Sequence, residues 1–240
     1  MKLILPAVFL CIISSVSYAT EINVELGGVN NPYNRVAIPG DDGTQFQLAK
    51  AFRSTDFYHR LSLSHKFNRH GVRFLYAPLK LNGSATFSKN IDFMGQNYVS
   101  GQKIDAEYQF NSYRASWFYQ IDDEGPWQTR IGATAKVRDA KTKLSQGSVS
   151  KLKRNSGLVP LFYLYSAYEW SNGFRMALDF DGLIAPQGRA FDAALMVGYS
   201  VLKNLDLNVG YRMLEGGVDN DTVYNFSRFQ YAFTSLTWEF

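Results

Sequence analysis

The stretch T-S-L-T-W-E-F, residues Thr234–Phe240, puts Leu236, Trp238 and Phe240 on one side of an extended chain and Ser235, Thr237 and Glu239 on the other. This is the period of a strand with one oily face. It finishes on an aromatic side chain, where a water-facing terminus would ordinarily be polar and frayed. The same period recurs upstream. Leu205, Leu207, Val209, Tyr211 and Met213 alternate with Asp206, Asn208, Gly210 and Arg212, and Phe174, Met176, Leu178 and Phe180 alternate with Arg175, Ala177, Asp179 and Asp181. Phe191 to Tyr199 and Trp127 to Val137 repeat the pattern. No stretch shows a convincing helical period, so the chain reads as all-β.

At the other end, Lys2 precedes an apolar run from Leu3 to Val16 and the small-x-small sequence Ser17-Tyr18-Ala19. That pattern predicts a secretory signal peptide over residues 1–19, cleaved after Ala19, followed by a single domain over 20–240. Its apolar core is short for a spanning helix. Cys11, the only cysteine, falls inside the signal, so the mature chain is expected to carry neither disulfide nor thiol nucleophile. With 15% aromatic and only 19% charged residues, the mature chain has more rings than a secreted globule comfortably hides. The net charge of +4 is too mild, and the basic residues too scattered, to argue for nucleic acid.

The medium that meets the oily faces decides the architecture. A soluble sandwich would turn them inward against each other. A closed barrel in lipid would turn them outward, leave the polar faces to the lumen, and abolish the strand edges that hydrocarbon cannot satisfy. The spacers favour the barrel. Tight connections at 68–71, 122–126, 171–173 and 203–204 alternate with longer polar stretches near 30–55, 82–101, 145–157, 186–189 and 216–222. This predicts a transmembrane antiparallel up-and-down β-barrel of about ten strands, with eight or twelve as alternatives, short turns in the periplasm and long loops outside. The first strand reads as brief, on Ile22, Val24 and Leu26, and 45–52 as strand or loop. Trp117, Trp127, Trp170 and Trp238 all fall at the periplasmic end, the placement of an interfacial aromatic girdle.

The terminal pattern of Leu236, Trp238 and Phe240 resembles that of Gram-negative outer-membrane β-barrels. In those proteins the last strand commonly ends in Phe and is read by the barrel-assembly machinery. Most of the mature chain, through RVAIPGDDGTQF, RHGVRFLYAPL, QFNSYR, PQGRAFDAAL and GYRMLEGGVDNDTVYNF, also resembles a family of small bacterial outer-membrane barrels. That resemblance implies the fold and an outer-membrane location, and supplies no activity.

Candidate functional residues follow from the inward faces. Arg60, Arg114, Arg130, Lys136, Arg138, Arg175 and Arg212 would share the lumen with Glu25, Asp179, Asp181, Asp192 and Asp206. Charges in a narrow interior must pair, so an ion-pair ladder that occludes the lumen is expected; the alternative is a selective path for a small charged solute. Lys141, Lys143, Lys151, Lys153 and Arg154 form a basic outer loop suited to lipopolysaccharide phosphates. The histidines give little: His65 and His70 lie at the periplasmic end, and only His59, beside Asp56 and Ser54, approaches the outer rim where an active site would sit. Asp219-Asn220-Asp221 lacks the further ligands of a calcium loop. The reading is therefore a monomeric outer-membrane barrel with a structural or surface-interaction role and no cofactor or metal. A narrow channel, or a lipid A-modifying enzyme or protease, is the alternative.

Overall fold

The computed structural model describes residues 18–240 apart from Arg53 and Asp123. Residues 1–17 of the expected signal peptide lie outside the described residues. The described chain forms β1 (Tyr18–Ala37), β2 (Phe46–Gln47), a 3-10 turn (Leu48–Ala51), β3 (Asp56–Phe67), β4 (His70–Ala77), β5 (Lys80–Thr86), β6 (Ile91–Phe93) and β7 (Gln96–Tyr98). It continues with β8 (Lys103–Gln120), β9 (Trp127–Gln146), β10 (Val149–Glu169), β11 (Phe174–Ala185), β12 (Gly188–Leu202), β13 (Leu205–Asn220) and β14 (Val223–Glu239). β1, β3, β4 continued by β5, and β8 to β14 pair antiparallel in that order, and β14 returns to β1. The result is a closed ten-stranded up-and-down barrel. Thr20 and Phe240 exchange backbone hydrogen bonds at 3.0 and 2.9 Å, so the last residue is held in the wall rather than fraying.

The two-residue period sorts the side chains. On β13, Val209 and Tyr211 are half exposed on the outside while Asn208 and Arg212, on either side of that pair, are buried. Along β10 the outward apolar residues run from Leu158 to Tyr168, a height of about 25 Å at the rise and tilt of barrel strands. The belt is therefore as tall as a membrane's hydrocarbon layer. At the end where the termini lie, the near end, connections are short. Asn68 takes φ 56 in the two-residue turn before β4, a conformation asparagine tolerates better than most residues.

The far end departs from expectation. β1 is long rather than brief, and 145–157 and 216–222 are mostly strand, so three far connections shrink to the turns 147–148, 186–187 and 221–222. Polar composition signals solvent, and a hairpin that projects beyond the belt is as solvated as a loop. The two true loops fold back inside the barrel mouth. Leu48 and Phe52 from the first, with Phe87, Ile91, Phe93 and Tyr98 from the second, are buried in an apolar plug against Val36, Leu81 and Phe229. Pro78 interrupts the wall between β4 and β5, since it has no N–H to give the ladder. The break is bridged by Leu79, whose N–H donates to Asn111 Oδ1 at 3.2 Å and whose carbonyl accepts from Phe110 at 2.8 Å.

Candidate functional site

Eight charged side chains at inward positions of seven staves converge below the plug. Arg212 on β13 pairs with Asp192 at 2.6 Å, Asp192 with Arg114 at 2.5 Å, and Arg114 with Asp181 at 2.7 Å. From Asp181 the chain of charges continues to Arg73 at 2.7 Å, to Asp179 at 2.9 Å, and back to Arg212 at 3.5 Å. Six alternating charges thus form a closed ring. A second ring shares its Arg212–Asp192 edge and runs through Arg60 and Glu25, with Arg60 3.1 Å from Asp192 and 4.0 Å from Glu25, and Arg212 3.0 Å from Glu25.

Four guanidinium groups and four carboxylates balance. Taking a charge out of water costs several kcal/mol, so such a cluster persists only when each charge finds opposite neighbours and further hydrogen bonds. Here Tyr58 donates to Glu25 at 2.7 Å and Thr134 to Asp181 at 2.6 Å. Aromatic faces cover what hydrogen bonds do not: Arg73 lies 4.2 Å from the Tyr163 ring centre and Arg212 5.7 Å from that of Phe233. Because Arg73 and Asp179 come from β4 and β11, on opposite sides of the barrel, the ring braces the wall across its lumen.

The expected ladder is thus partly assembled and partly redistributed. Glu25, Arg60, Arg114, Asp179, Asp181, Asp192 and Arg212 are in the lock. Arg130 and Arg175 stand nearer the termini, paired with Glu21 at 2.7 Å and with Asp206 at 2.9 Å, around a polar vestibule of about 200 Å³. Lys136 and Arg138 stand above the lock and make no ion pair among the described residues. Arg73 and Glu21 were missed, although the parity of β4 and β1 carries them inward beside Phe74 and Ile22; short, mixed flanking patterns hid the signal.

The basic hairpin β9–β10 divides between two faces. Lys141, Lys143 and Arg154 have outward parity, while Lys151 and Lys153 have inward parity at the mouth. The expected basic loop is therefore corrected to a strand hairpin, and because a strand alternates its neighbouring lysines cannot all face one way. Lys141 pairs with Glu107 on the outer wall. Above the belt on the other side, Glu215 accepts from Arg189 at 2.8 Å and Arg228 at 2.8 Å. Burial alone would push the Glu215 carboxyl up, but these two arginines outweigh it and hold it below the ordinary glutamate value.

Trp117, Trp127, Trp170 and Trp238 are all about half exposed on the outer wall at the near end. Tyrosine and histidine rings extend the band: His70 lies 5.6 Å from Trp117, Tyr168 lies 5.0 Å from Trp127, and Trp238 lies 5.2 Å from Phe240. His59 is outward on β3 against Tyr76, whereas Asp56 has the opposite parity, so they form no pair. Asn220 Oδ1 accepts from the N–H groups of Thr222 and Val223, so the end of β13 caps the tight turn at 221–222 and the Asp219-Asn220-Asp221 stretch is strand end and turn.

The belt, the girdle and the closed antiparallel wall define a transmembrane β-barrel of the outer-membrane type. One solved structure agrees in fold. The outer membrane protease OmpT from Escherichia coli superposes with a TM-score of 0.59 at 10% identity, covering 94% of this chain and 99% of its own. Neisserial surface protein A gives 0.40 at 14%, covering 95% and 100%, and Ail from Yersinia pestis gives 0.40 at 13%, covering 92% and 98%. At such identities the likeness is one of fold. No protein-family model and no curated protein sequence matches the chain.

Proposed function

We propose that this protein is an integral outer-membrane barrel whose lumen is sealed, and that its role is structural or surface-interacting rather than diffusive. The observation that carries the reading is the pair of fused charge rings. A solute crossing at that level must break buried ion pairs on both walls, each worth several kcal/mol when one partner is lost. The apolar plug supports the same reading from the far side. The far end then faces the cell exterior, with Lys143 and Arg154 on the outer wall as contacts for lipopolysaccharide phosphates, and the barrel acts as a monomer. The terminal pattern of Leu236, Trp238 and Phe240 serves as the assembly signal, and cleavage after Ala19 would leave Thr20, the partner of Phe240, as the first residue. Resemblance to small bacterial outer-membrane barrels in PQGRAFDAAL and GYRMLEGGVDNDTVYNF supports the same class.

The test is electrical. Purified protein reconstituted in planar bilayers is expected to give no stepwise current at either polarity, while a variant with Arg73, Arg114, Asp179 and Asp181 all replaced by alanine opens discrete steps. Ohmic steps from the wild type would overturn the sealed-lumen reading in favour of a narrow channel.

A further inference from the structure

Above the charge rings the barrel wall is incomplete on one side. The β10–β11 ladder stops at Phe162 and Gly182, and residues 149–161 of β10 pair with β9 alone. β11 continues through Leu183–Ala185 paired only with β12. The other interrupted seam, between β3 and β5, is covered by the 3-10 turn, packed so closely that a Cβ on Gly83 would strike the Ala51 carbonyl. Between β10 and β11, by contrast, a cavity of about 410 Å³ opens.

Its walls are mainly apolar, with Leu158, Val159 and Pro160 on the β10 edge, Leu183 and Ala185 on β11, and Leu214 on β13, while Arg189 and Glu215, paired with each other, line its upper rim. Pro160 removes an N–H from that unpaired edge, which leaves one donor fewer to satisfy beside hydrocarbon. Leu158 and Ile184, 71% and 73% exposed, flank the opening on its two sides, so the mouth is continuous with the lipid-facing belt. The inner end is basic. Lys136 is only 4% exposed and makes no hydrogen bond or ion pair among the described residues; its ammonium lies 5.0 Å from the Phe110 ring centre. Arg138 donates to Asn155 through Nη2, while its Nε is buried without a partner. An uncompensated buried cation is costly, and the carboxylates of the rings are already held by arginines. Both cations line the cavity, and no carboxylate among the described residues is paired with either of them.

We propose that this cavity binds a long-chain fatty acid that enters sideways from the membrane between β10 and β11, with its carboxylate held by Lys136 and Arg138 and its acyl chain along the apolar walls. The volume lies at the lower end of the roughly 300–1,000 Å³ of small-ligand sites, which suits one chain better than a two-chain phospholipid. The cationic inner end, where Lys136 and Arg138 have no paired carboxylate while Arg189 is held by Glu215, and the apolar mouth match a molecule with one anionic terminus and one greasy one. The site does not depend on whether the lumen conducts.

The test uses full-length protein in nanodiscs of saturated phosphatidylcholine, titrated with carboxyl-¹³C palmitate against empty nanodiscs. The expected result is a saturable excess of one palmitate per barrel with a shifted carboxyl resonance. Lys136→Met weakens it tenfold or more, as loss of a charge-assisted hydrogen bond implies. Shorter acids bind about fourfold more weakly for each buried methylene lost. Gly157→Trp fills the cavity from a position where an added Cβ meets only the Arg138 guanidinium, at 3.8 Å. It abolishes binding while the barrel keeps its heat-modifiable gel shift. No saturable excess in the wild type, unchanged binding by a folded Gly157→Trp barrel, or equal affinity for hexadecanol would each overturn the proposal.

Discussion

Replacing Arg114 with methionine removes the guanidinium that links the two carboxylates at the middle of the lock. Its side chain is 1% exposed, and those of Asp181 and Asp192 are 2% exposed, so solvent screens none of the loss. Two hydrogen bonds to carboxylates disappear, each worth about 1.5–3 kcal/mol, together with the weaker one from Nε to Ser112 at 3.1 Å. Asp181 retains Arg73 and Thr134, and Asp192 retains Arg60 and Arg212, so neither carboxylate is fully orphaned. The cost should therefore fall near the low end of the combined range, at about 3–4 kcal/mol. That agrees with the usual cost of breaking a buried pair. With a urea slope of about 2 kcal/mol per M, the unfolding midpoint drops by about 2 M. The assay is reversible urea unfolding of the barrel in lipid vesicles, followed by tryptophan emission from the outer-wall girdle. Adding Asp181→Asn restores the balance at three arginines against three carboxylates, so the double variant should be less destabilised than the two single effects summed, by at least about 1.5 kcal/mol. A single-variant loss below about 1 kcal/mol, or strict additivity, would refute the account of the lock as one coupled network.

Two further outcomes are expected. Phe240→Ala removes the ring that stacks beside Trp238 but keeps the backbone pairing with Thr20, so assembly into vesicles should slow while the urea midpoint moves by less than about 1 kcal/mol; an unchanged rate of appearance of the heat-modifiable band would refute the role of that ring. Glu215 should titrate below its ordinary value of 4.5, with its midpoint moving up in Arg228→Gln; because the folded value is depressed, its contribution to stability is present above the unfolded value and is lost as pH falls through the folded one. Carboxyl ¹³C NMR reads both midpoints, and an unshifted midpoint in the wild type counts against the Arg189–Glu215–Arg228 cluster.

The strands near the C-terminus were legible because each is amphipathic on its own. β13 states its inside and outside in nine alternating residues from Leu205 to Met213, although the connections after β11 and β13 read as longer than the two-residue turns they are. β4 and β1 were harder. Arg73 sits in H-G-V-R-F-L-Y-A, where Gly71 and Val72 blur the alternation, so nothing in the sequence marks it as an arginine with two lock partners. The plug was not legible at all. Phe46, Phe52, Phe87 and Phe93 lie in stretches whose polar neighbours read as solvated loop, and only their return into the barrel mouth gives them an apolar partner.

By itself, the alternation of polar and apolar residues determined which side of each strand meets hydrocarbon, because that choice is made within a strand and repeats every second residue. It also set the direction of each lumen charge. Which charges meet was decided by the closed wall, since strand tilt and register bring Arg73 to Asp179 across a distance in sequence that no local pattern encodes. The same closure separated Lys136 and Arg138 from the rings and left the β10 edge open beside them. Register is a property of paired strands, so a contact across the lumen exists only when every intervening pair is in place.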